Sequence, residues 1–257
     1  MSSLATTLTQ ATTHAGASSF RADFVWTLLG SGVYSGSQWG ILILLAKLGT
    51  PEMVGQYALG VAVATPLLMF ANLQLRWLMT TDAERATSAG IYIGLRVLST
   101  LAASIALVPV GAFMGTDRHS FGVVLVVGFS QAIEAISDIY YARMQLNDNM
   151  RRVSWSMIVR GVLSLFALVI GLQLTGTIVG AVSAVCLVRL LVLITFDMRD
   201  EQPRGGSGLV LPRWDFRMYR GLLKTALPMG MVALLVCKFS VGMRDAGEPT
   251  LVSSFHR

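Results

Sequence analysis

Charged side chains are scarce in this chain. Only 13% of its 257 residues are Asp, Glu, Lys or Arg, which is about half the share found in typical soluble domains. Hydrophobic residues make up 54%, and the mean hydropathy is +0.63. This composition excludes an ordinary soluble domain and predicts an all-α, polytopic membrane helix bundle.

Cysteine and histidine are also few. Cys186 and Cys237 both lie in apolar runs, which predicts small buried side chains rather than a disulfide or a metal site. The three histidines are scattered, and the chain contains no phosphate-binding loop, nucleophile elbow, CxxC pair or paired-histidine motif. We therefore expect no metal, no cofactor and no catalytic residue, and the chain is not expected to be an enzyme.

The amino-terminal segment lacks the features of a secretory signal. Residues 1–22 are rich in Ser, Thr and Ala, have no Lys or Arg before Arg21, and contain no short apolar core followed by a cleavage site. They are predicted to form a polar, disordered cytoplasmic leader.

Apolar windows of about 20 residues predict six membrane spans. They form a bundle over residues 23–197 and are Phe24 to Leu48, Val54 to Leu75, Ala89 to Gly115, Phe121 to Leu146, Val153 to Leu174 and Ile178 to Phe196. Residues 198–217 read as a flexible cytoplasmic linker. Residues 218–237 read as the start of a seventh span, which Pro228 and Lys238 weaken, and residues 238–257 as a polar tail.

The arginines predict the orientation. With a cytoplasmic N-terminus, the inner ends and loops hold most of them, namely Arg21, Arg76, Arg85, Arg143, Arg151, Arg152, Arg199, Arg204, Arg213, Arg217 and Arg220, and the outer side has little beyond Lys47 and Arg118. The positive-inside rule therefore favours a cytoplasmic N-terminus. The net positive charge is explained by this topology and by anionic membrane lipids, and it gives no reason to expect a nucleic-acid partner.

A polar stripe marks the fourth span. Glu134 and Asp138 are one turn apart, and Gln131, Tyr141 and Gln145 continue the same helix face. Ionisable groups inside a bilayer are costly and usually line an interior cavity or pair with other charges. The stripe is therefore the first candidate for a functional site.

Three arginines lie at a similar predicted depth. Arg96, Arg160, Arg189 and Asp138 each fall about eight residues from a cytoplasmic end of a span, or about 12 Å at 1.5 Å per residue. If they converge, they form a cationic ring, partly neutralised by Asp138 and Glu134, that suits an anionic head group.

Structural interpretations of the same residues stand beside this one. The arginines could extend along their alkyl stems to the headgroups. Glu134 and Asp138 could instead form an interhelical ion pair with Arg96 or Arg160 that only locks the bundle.

In the first span, small residues recur every four positions. Gly32, Gly36 and Gly40 form a small-xxx-small pattern, which is typical of close helix packing in membranes.

Two segments resemble bacterial polysaccharide flippases, which belong to the multidrug/oligosaccharidyl-lipid/polysaccharide exporter superfamily. The first is Gly55-Gln56-Tyr57-Ala58-Leu59 with Ala64-Thr65-Pro66, Leu73-Gln74-Leu75-Arg76 and Thr81-Asp82. The second runs from Ser137-Asp138-Ile139-Tyr140-Tyr141 through Ala142-Arg143-Met144-Gln145 to Arg160-Gly161. The resemblance covers about Phe20 to Leu235, which corresponds to the N-terminal half of such a protein.

The resemblance implies a transporter of the bacterial inner membrane. It would move lipid-linked oligosaccharide or polysaccharide repeat units for cell-surface polysaccharide biosynthesis, such as lipopolysaccharide or exopolysaccharide. Arg96, Arg160 and Arg189 would attract the pyrophosphate or acidic sugars, while Glu134 and Asp138 would tune the site or couple it to an ion gradient. Polysaccharide polymerase and glycosyltransferases of the same pathway are the implied protein partners.

The chain departs from this family in length, because family members normally have twelve or more spans. We expect a homo-oligomer, a missing second half, or a truncated or frameshifted form. A non-transporting assembly subunit or fragment is an alternative. Two further alternatives are a drug/cation antiporter of the same superfamily, which the buried arginines disfavour, and a membrane enzyme, which the short outer loops disfavour.

Overall fold

The computed structural model of the chain describes the backbone of residues 2–81, 89–113, 118–147, 149–201, 207–209, 212 and 214–247. Side chains are described for residues 23–81, 89–113, 120–147, 149–199, 212, 214–224, 226–232 and 235.

Helices dominate the described residues. The chain forms α1 (Ser2–Leu48), α2 (Pro51–Ala71), α3 (Leu75–Thr81), α4 (Ala89–Phe113), α5 (Arg118–Leu146), α6 (Met150–Thr175), α7 (Ile178–Val192) and α8 (Phe216–Gly247). A π-helical turn, Leu193–Asp197, continues α7, and two three-residue strands, β1 (Arg199–Glu201) and β2 (Ser207–Leu209), pair antiparallel. The prediction of an all-α fold is confirmed.

Among the residues that the structure describes, six helical segments are long and apolar enough to cross a membrane. They are Asp23–Leu48, Pro51–Thr81, Ala89–Phe113, Ser120–Leu146, Met150–Thr175 and Ile178–Asp197. All six predicted windows are therefore found, with ends that differ by a few residues.

The remaining predicted segments are only partly described. Helix α1 extends back to Ser2, through the segment for which the sequence predicts a polar leader. Helix α8 covers the predicted seventh span and the first part of the predicted tail, and residues 248–257 lie outside the described residues. The predicted domain boundaries and the cytoplasmic N-terminus stay predictions.

The chain divides into two compact units. The first comprises residues 1–54 and 143–209, and the second comprises residues 55–142 and 210–257.

In the first unit, α1 packs against α6 through small residues. A Cβ added at Gly30 would lie 2.7 Å from Ser154 Cα, and one added at Gly161 would lie 2.6 Å from Ser37 Oγ. Gly30 meets backbone, so that position requires glycine for the helices to approach this closely, whereas a side chain at position 161 would first have to displace the Ser37 side chain.

The predicted glycine stripe does not coincide with this packing face. A Cβ at Gly40 would meet Leu165 at 2.9 Å, but one at Gly32 or Gly36 would meet no described atom within 4 Å. Gly30 and Ser37 are seven residues apart and define the face of α1 that contacts α6. Gly32 and Gly36 lie off that face, and the packing role of the three-glycine stripe stays a prediction.

In the second unit, small and branched side chains form the core. Ala64, Leu68, Ala71, Ala103, Leu107, Val124 and Ala132 from α2, α4 and α5 are buried together.

The second span is broken near one end, between α2 and α3. Leu73 and Gln74 have φ values of 47° and 51°, the left-handed region that side chains other than glycine rarely adopt. Across the break two tighter turns replace the regular helix ladder: the Leu73 N–H donates to the Phe70 carbonyl at 3.1 Å, and the Leu75 N–H donates to the Asn72 carbonyl at 3.0 Å.

Candidate functional site

Asp138, near the middle of the polar stripe on α5, lies between two arginines. Its Oδ2 accepts a hydrogen bond from Nη2 of Arg96 at 3.0 Å, and its Oδ1 accepts one from Nη1 of Arg76 at 2.5 Å. Arg96 comes from α4 and Arg76 from α3, just after the break in the second span. We call these three residues the Asp138 cluster.

Arg96 is the buried member of the Asp138 cluster. Only 1% of its side chain is exposed, and each of its three guanidinium nitrogens has a hydrogen-bond acceptor. Besides Asp138, Nε donates to the Ala135 carbonyl at 2.9 Å, and Nη1 donates to the Asn72 carbonyl at 2.6 Å. Arg96 therefore supplies a partner to a carbonyl at the break in the second span while it neutralises Asp138.

Arg76 and Asp138 are partly exposed. Their side chains are 39% and 32% exposed, in contrast to Arg96. With two arginines and one aspartate, the cluster carries a formal excess of one positive charge. An anionic group could reach Arg76 without any change in the position of Arg96.

The other residues of the polar stripe differ in burial. Gln131 and Glu134 are half-buried, and Gln131 Oε1 accepts a hydrogen bond from Thr65 Oγ1 on α2 at 3.4 Å. Tyr141 is buried, with 4% of its surface exposed. Gln131, Glu134 and Asp138 therefore form a half-buried polar stripe in the second unit. Tyr141 is buried in the interior of that unit.

A second cluster lies in the first unit. Asp197, at the end of the π-helical turn, accepts a hydrogen bond from Ser156 at 2.5 Å and forms an ion pair with Arg160. The side chains of Arg160 and Asp197 are 1% and 0% exposed. We call these three residues the Asp197 cluster. It ties α6 to the end of the sixth span, and removing one member of a pair buried this completely would leave an uncompensated charge.

Arg152 fixes the chain after the sixth span. Its Nη2 donates to the carbonyls of Phe196, at 3.2 Å, and of Arg199, and its guanidinium lies 5.2 Å from the centroid of the Phe196 ring. The path of the chain into β1 is therefore set by an arginine on α6.

The predicted site residues are brought together only in part. Asp138 meets Arg96, as one of the structural interpretations predicted, whereas the carboxylate partner of Arg160 is Asp197. Arg96, Arg160 and Arg189 are all buried, so their side chains do not extend to the surface as the headgroup interpretation required. Because Arg96 lies in one unit and the other two arginines in the other, the cationic ring stays a prediction.

Sequence reasoning missed two residues. Arg76 was counted among the cytoplasmic arginines because the predicted second span ended at Leu75, whereas the helical segment runs to Thr81 and places Arg76 inside it. Asp197 is the last residue of the predicted six-helix bundle, one position beyond the predicted sixth span, and it is not among the predicted site residues.

Comparisons with known proteins point to a transporter fold. No protein-family model matches the chain. The capsular polysaccharide biosynthesis protein CapF of Staphylococcus aureus is 24% identical over 127 residues, which cover 49% of this chain and 31% of CapF. The solved structure of a MOP superfamily transporter from Pyrococcus furiosus, described as having a binding pocket of reverse polarity, superposes with a TM-score of 0.58 at 17% identity. That superposition covers 82% of this chain and 50% of the transporter.

The chain thus spans half or less of the length of these two proteins. It shares the fold of the matched half of that transporter, and 127 of its residues are similar in sequence to part of CapF.

Proposed function

We propose that this chain is a transporter of the MOP type that moves lipid-linked oligosaccharide or polysaccharide repeat units across the bacterial inner membrane. A second copy or a second half would complete the enclosure of the path. The proposal rests on the fold and the similarity to CapF, and above all on the charge arrangement of the Asp138 cluster.

The Asp138 cluster suits an anionic cargo. Arg76 is partly exposed and is held by a carboxylate that it shares with Arg96. A pyrophosphate or an acidic sugar that binds Arg76 would compete with Asp138, and Arg96 would keep Asp138 neutralised while Arg76 is occupied. The cargo could therefore bind and leave without stranding a buried charge.

The same arrangement disfavours a cationic drug. A cationic cargo would need a carboxylate in excess at its site, whereas in this cluster one carboxylate serves two arginines.

A lipid-translocation assay tests the proposal. The purified chain is reconstituted into liposomes that contain a fluorescent lipid-linked oligosaccharide, and a membrane-impermeant reductant reports how fast labelled lipid reaches the outer leaflet. We expect translocation above protein-free liposomes. Arg76→Gln should slow it by about tenfold or more, because a hydrogen bond to a charged group contributes ~1.5 kcal/mol or more.

Arg199→Gln is the matched control, because it removes the same charge from an exposed position outside the cluster. Translocation no faster than in empty liposomes, or equal rates for Arg76→Gln and Arg199→Gln, would contradict the proposal. Proton-driven uptake of ethidium, with no movement of the labelled oligosaccharide lipid, would favour the drug/cation antiporter instead.

A further inference from the structure

An apolar groove lies in the second unit where α3 passes α8. It has a volume of about 440 Å³ and is lined by Gln74 and Trp77 on one side and by Pro228, Met229 and Val232 on the other. The groove is open, and the side chains of Trp77 and Val232 are 54% and 58% exposed.

Two irregularities in the backbone create the groove. The left-handed residues Leu73 and Gln74 turn α3 away from the line of α2, and Pro228 lies inside α8, where it interrupts the helix hydrogen bonds. Next to Pro228, Gly230 lets α8 come close, since a Cβ there would lie 3.4 Å from the Phe70 carbonyl oxygen and from Leu73. The end of the second span and α8 are therefore in contact at Gly230 and lie apart next to it, where the groove is.

Basic side chains continue the groove along α8. Arg217, Lys224, Pro228 and Val232 follow one another at intervals of seven, four and four residues, so they share one face of the helix. Lys224 is about 6 Å along the helix from Pro228, and Arg217 about 16 Å, at 1.5 Å per residue. Both side chains are exposed. The face is thus apolar at one end and cationic at the other.

One acid, Asp215, lies next to the cationic end of this face. Asp215 precedes the helix, and its Oδ1 accepts hydrogen bonds from the backbone N–H groups of Arg217 and Met218, at 3.0 and 3.3 Å. Its carboxylate is therefore engaged as the N-terminal cap of α8.

We propose that this groove is a binding site for an anionic phospholipid of the surrounding membrane. One acyl chain lies along Trp77, Pro228 and Val232, and the headgroup phosphate lies at Lys224 and Arg217. Phospholipid is the occupant that the lining favours, because the groove is apolar, Met231 and Leu235 beside it are 58% and 65% exposed, and its basic end complements an anionic headgroup. Basic residues close to a bilayer surface attract anionic headgroups, and the indole of Trp77 suits the interface. The proposal does not depend on the transported cargo.

Native mass spectrometry of the purified chain tests the site. Phosphatidylglycerol and phosphatidylcholine with identical acyl chains are added at equal concentration, and the bound fraction of each is measured. We expect the intact chain to prefer phosphatidylglycerol. The double variant Lys224→Gln/Arg217→Gln should reduce the ratio of bound phosphatidylglycerol to bound phosphatidylcholine by about five-fold for each charge removed. Each basic residue near an anionic membrane surface contributes a factor of about this size to the affinity.

Two further variants separate the site from general electrostatics and from misfolding. Lys47→Gln with Arg199→Gln removes the same total charge from exposed positions elsewhere and should leave the preference unchanged. Val232→Trp fills the groove but keeps both charges, and it should reduce binding of both lipids at this site.

Three results would overturn the proposal: equal binding of the two lipids by the intact chain, an equal effect of the two charge-removing pairs, or displacement of phosphatidylglycerol by equimolar polyprenyl phosphate. The last result would assign the groove to an isoprenoid lipid.

Discussion

At the scale of single residues, the two arginine–aspartate clusters differ in exposure, and this difference separates their roles. The carboxylate of Asp197 is fully buried and that of Asp138 is 32% exposed. Breaking a buried ion pair leaves an uncompensated charge, whereas the side chains of a partly exposed pair can exchange partners. The Asp138 cluster is therefore the one that can exchange partners, and our proposal places cargo contact there rather than at the Asp197 cluster.

Asp138→Asn should destabilise the protein, because it leaves the buried Arg96 without a counter-charge. Breaking a buried pair by removing one partner costs about 3 kcal/mol. Thermal unfolding of the purified protein in detergent measures the effect. Arg76→Gln should cost much less, since Arg76 is partly exposed and Asp138 keeps Arg96. If both variants unfold at the same temperature, the assignment of the buried role to Arg96 is wrong.

For the Asp197 cluster, Arg160→Met alone should cost about 3 to 5 kcal/mol, because it strands a buried carboxylate. The double variant Arg160→Met/Asp197→Leu should recover most of that loss, since neither buried charge remains. Yield in the membrane and thermal unfolding report both effects. A double variant no more stable than the single one would mean that Asp197 has another essential partner.

The sequence predicts which charged residues lie inside the spans better than it predicts which of them pair with one another. Arg96 and Asp138 could be matched by depth, because both lie well inside long spans. Arg160 and Asp197 could not, because a π-helical turn carries Asp197 past the expected end of its span.

At the scale of helices, the close contact of α1 and α6 depends on where glycine is required. Gly161→Leu should reduce the yield of folded protein strongly, because even its Cβ would lie 2.6 Å from Ser37 Oγ. Gly36→Leu should be tolerated, because no described atom lies within 4 Å of a Cβ there. Fluorescence-detected size-exclusion chromatography of membrane extracts compares the two. The opposite order would show that the Gly32, Gly36 and Gly40 stripe carries the packing after all.

The membrane-spanning helices could be predicted from the sequence, because a helix that crosses a bilayer needs a run of about 20 apolar residues. The break between α2 and α3 was not predictable in this way. It contains no proline or glycine, and its left-handed residues are Leu73 and Gln74, whose conformation is imposed by tertiary contacts such as the hydrogen bond from Arg96 to the Asn72 carbonyl.

At the scale of the whole molecule, the arginine distribution predicts a cytoplasmic N-terminus. In a variant without Cys186 and Cys237, a cysteine at Lys47 should react with a membrane-impermeant maleimide added to intact spheroplasts. A cysteine at Arg151 should react only after permeabilisation. Both positions are at helix ends, so accessibility reports the side of the membrane. The reverse labelling pattern would invert the topology, and with it the side from which cargo reaches Arg76.

Fold class and span number follow from composition, but the convergence of charges from different spans does not. Convergence depends on the rotation of each helix about its axis, and side-chain packing sets that rotation. Gly30 and Gly161 fix it for α1 against α6, at positions that the glycine pattern alone did not single out.

The guanidinium of Arg96 connects α4 to the end of α2, through Asn72, and to α5, through Ala135 and Asp138. The Asn72 carbonyl also accepts a backbone hydrogen bond from the Leu75 N–H at 3.0 Å, so the guanidinium is its second donor. In a lipid environment no water would replace that donor. Any movement of α3 that displaces the Asn72 carbonyl from Arg96 would therefore lose this hydrogen bond without compensation.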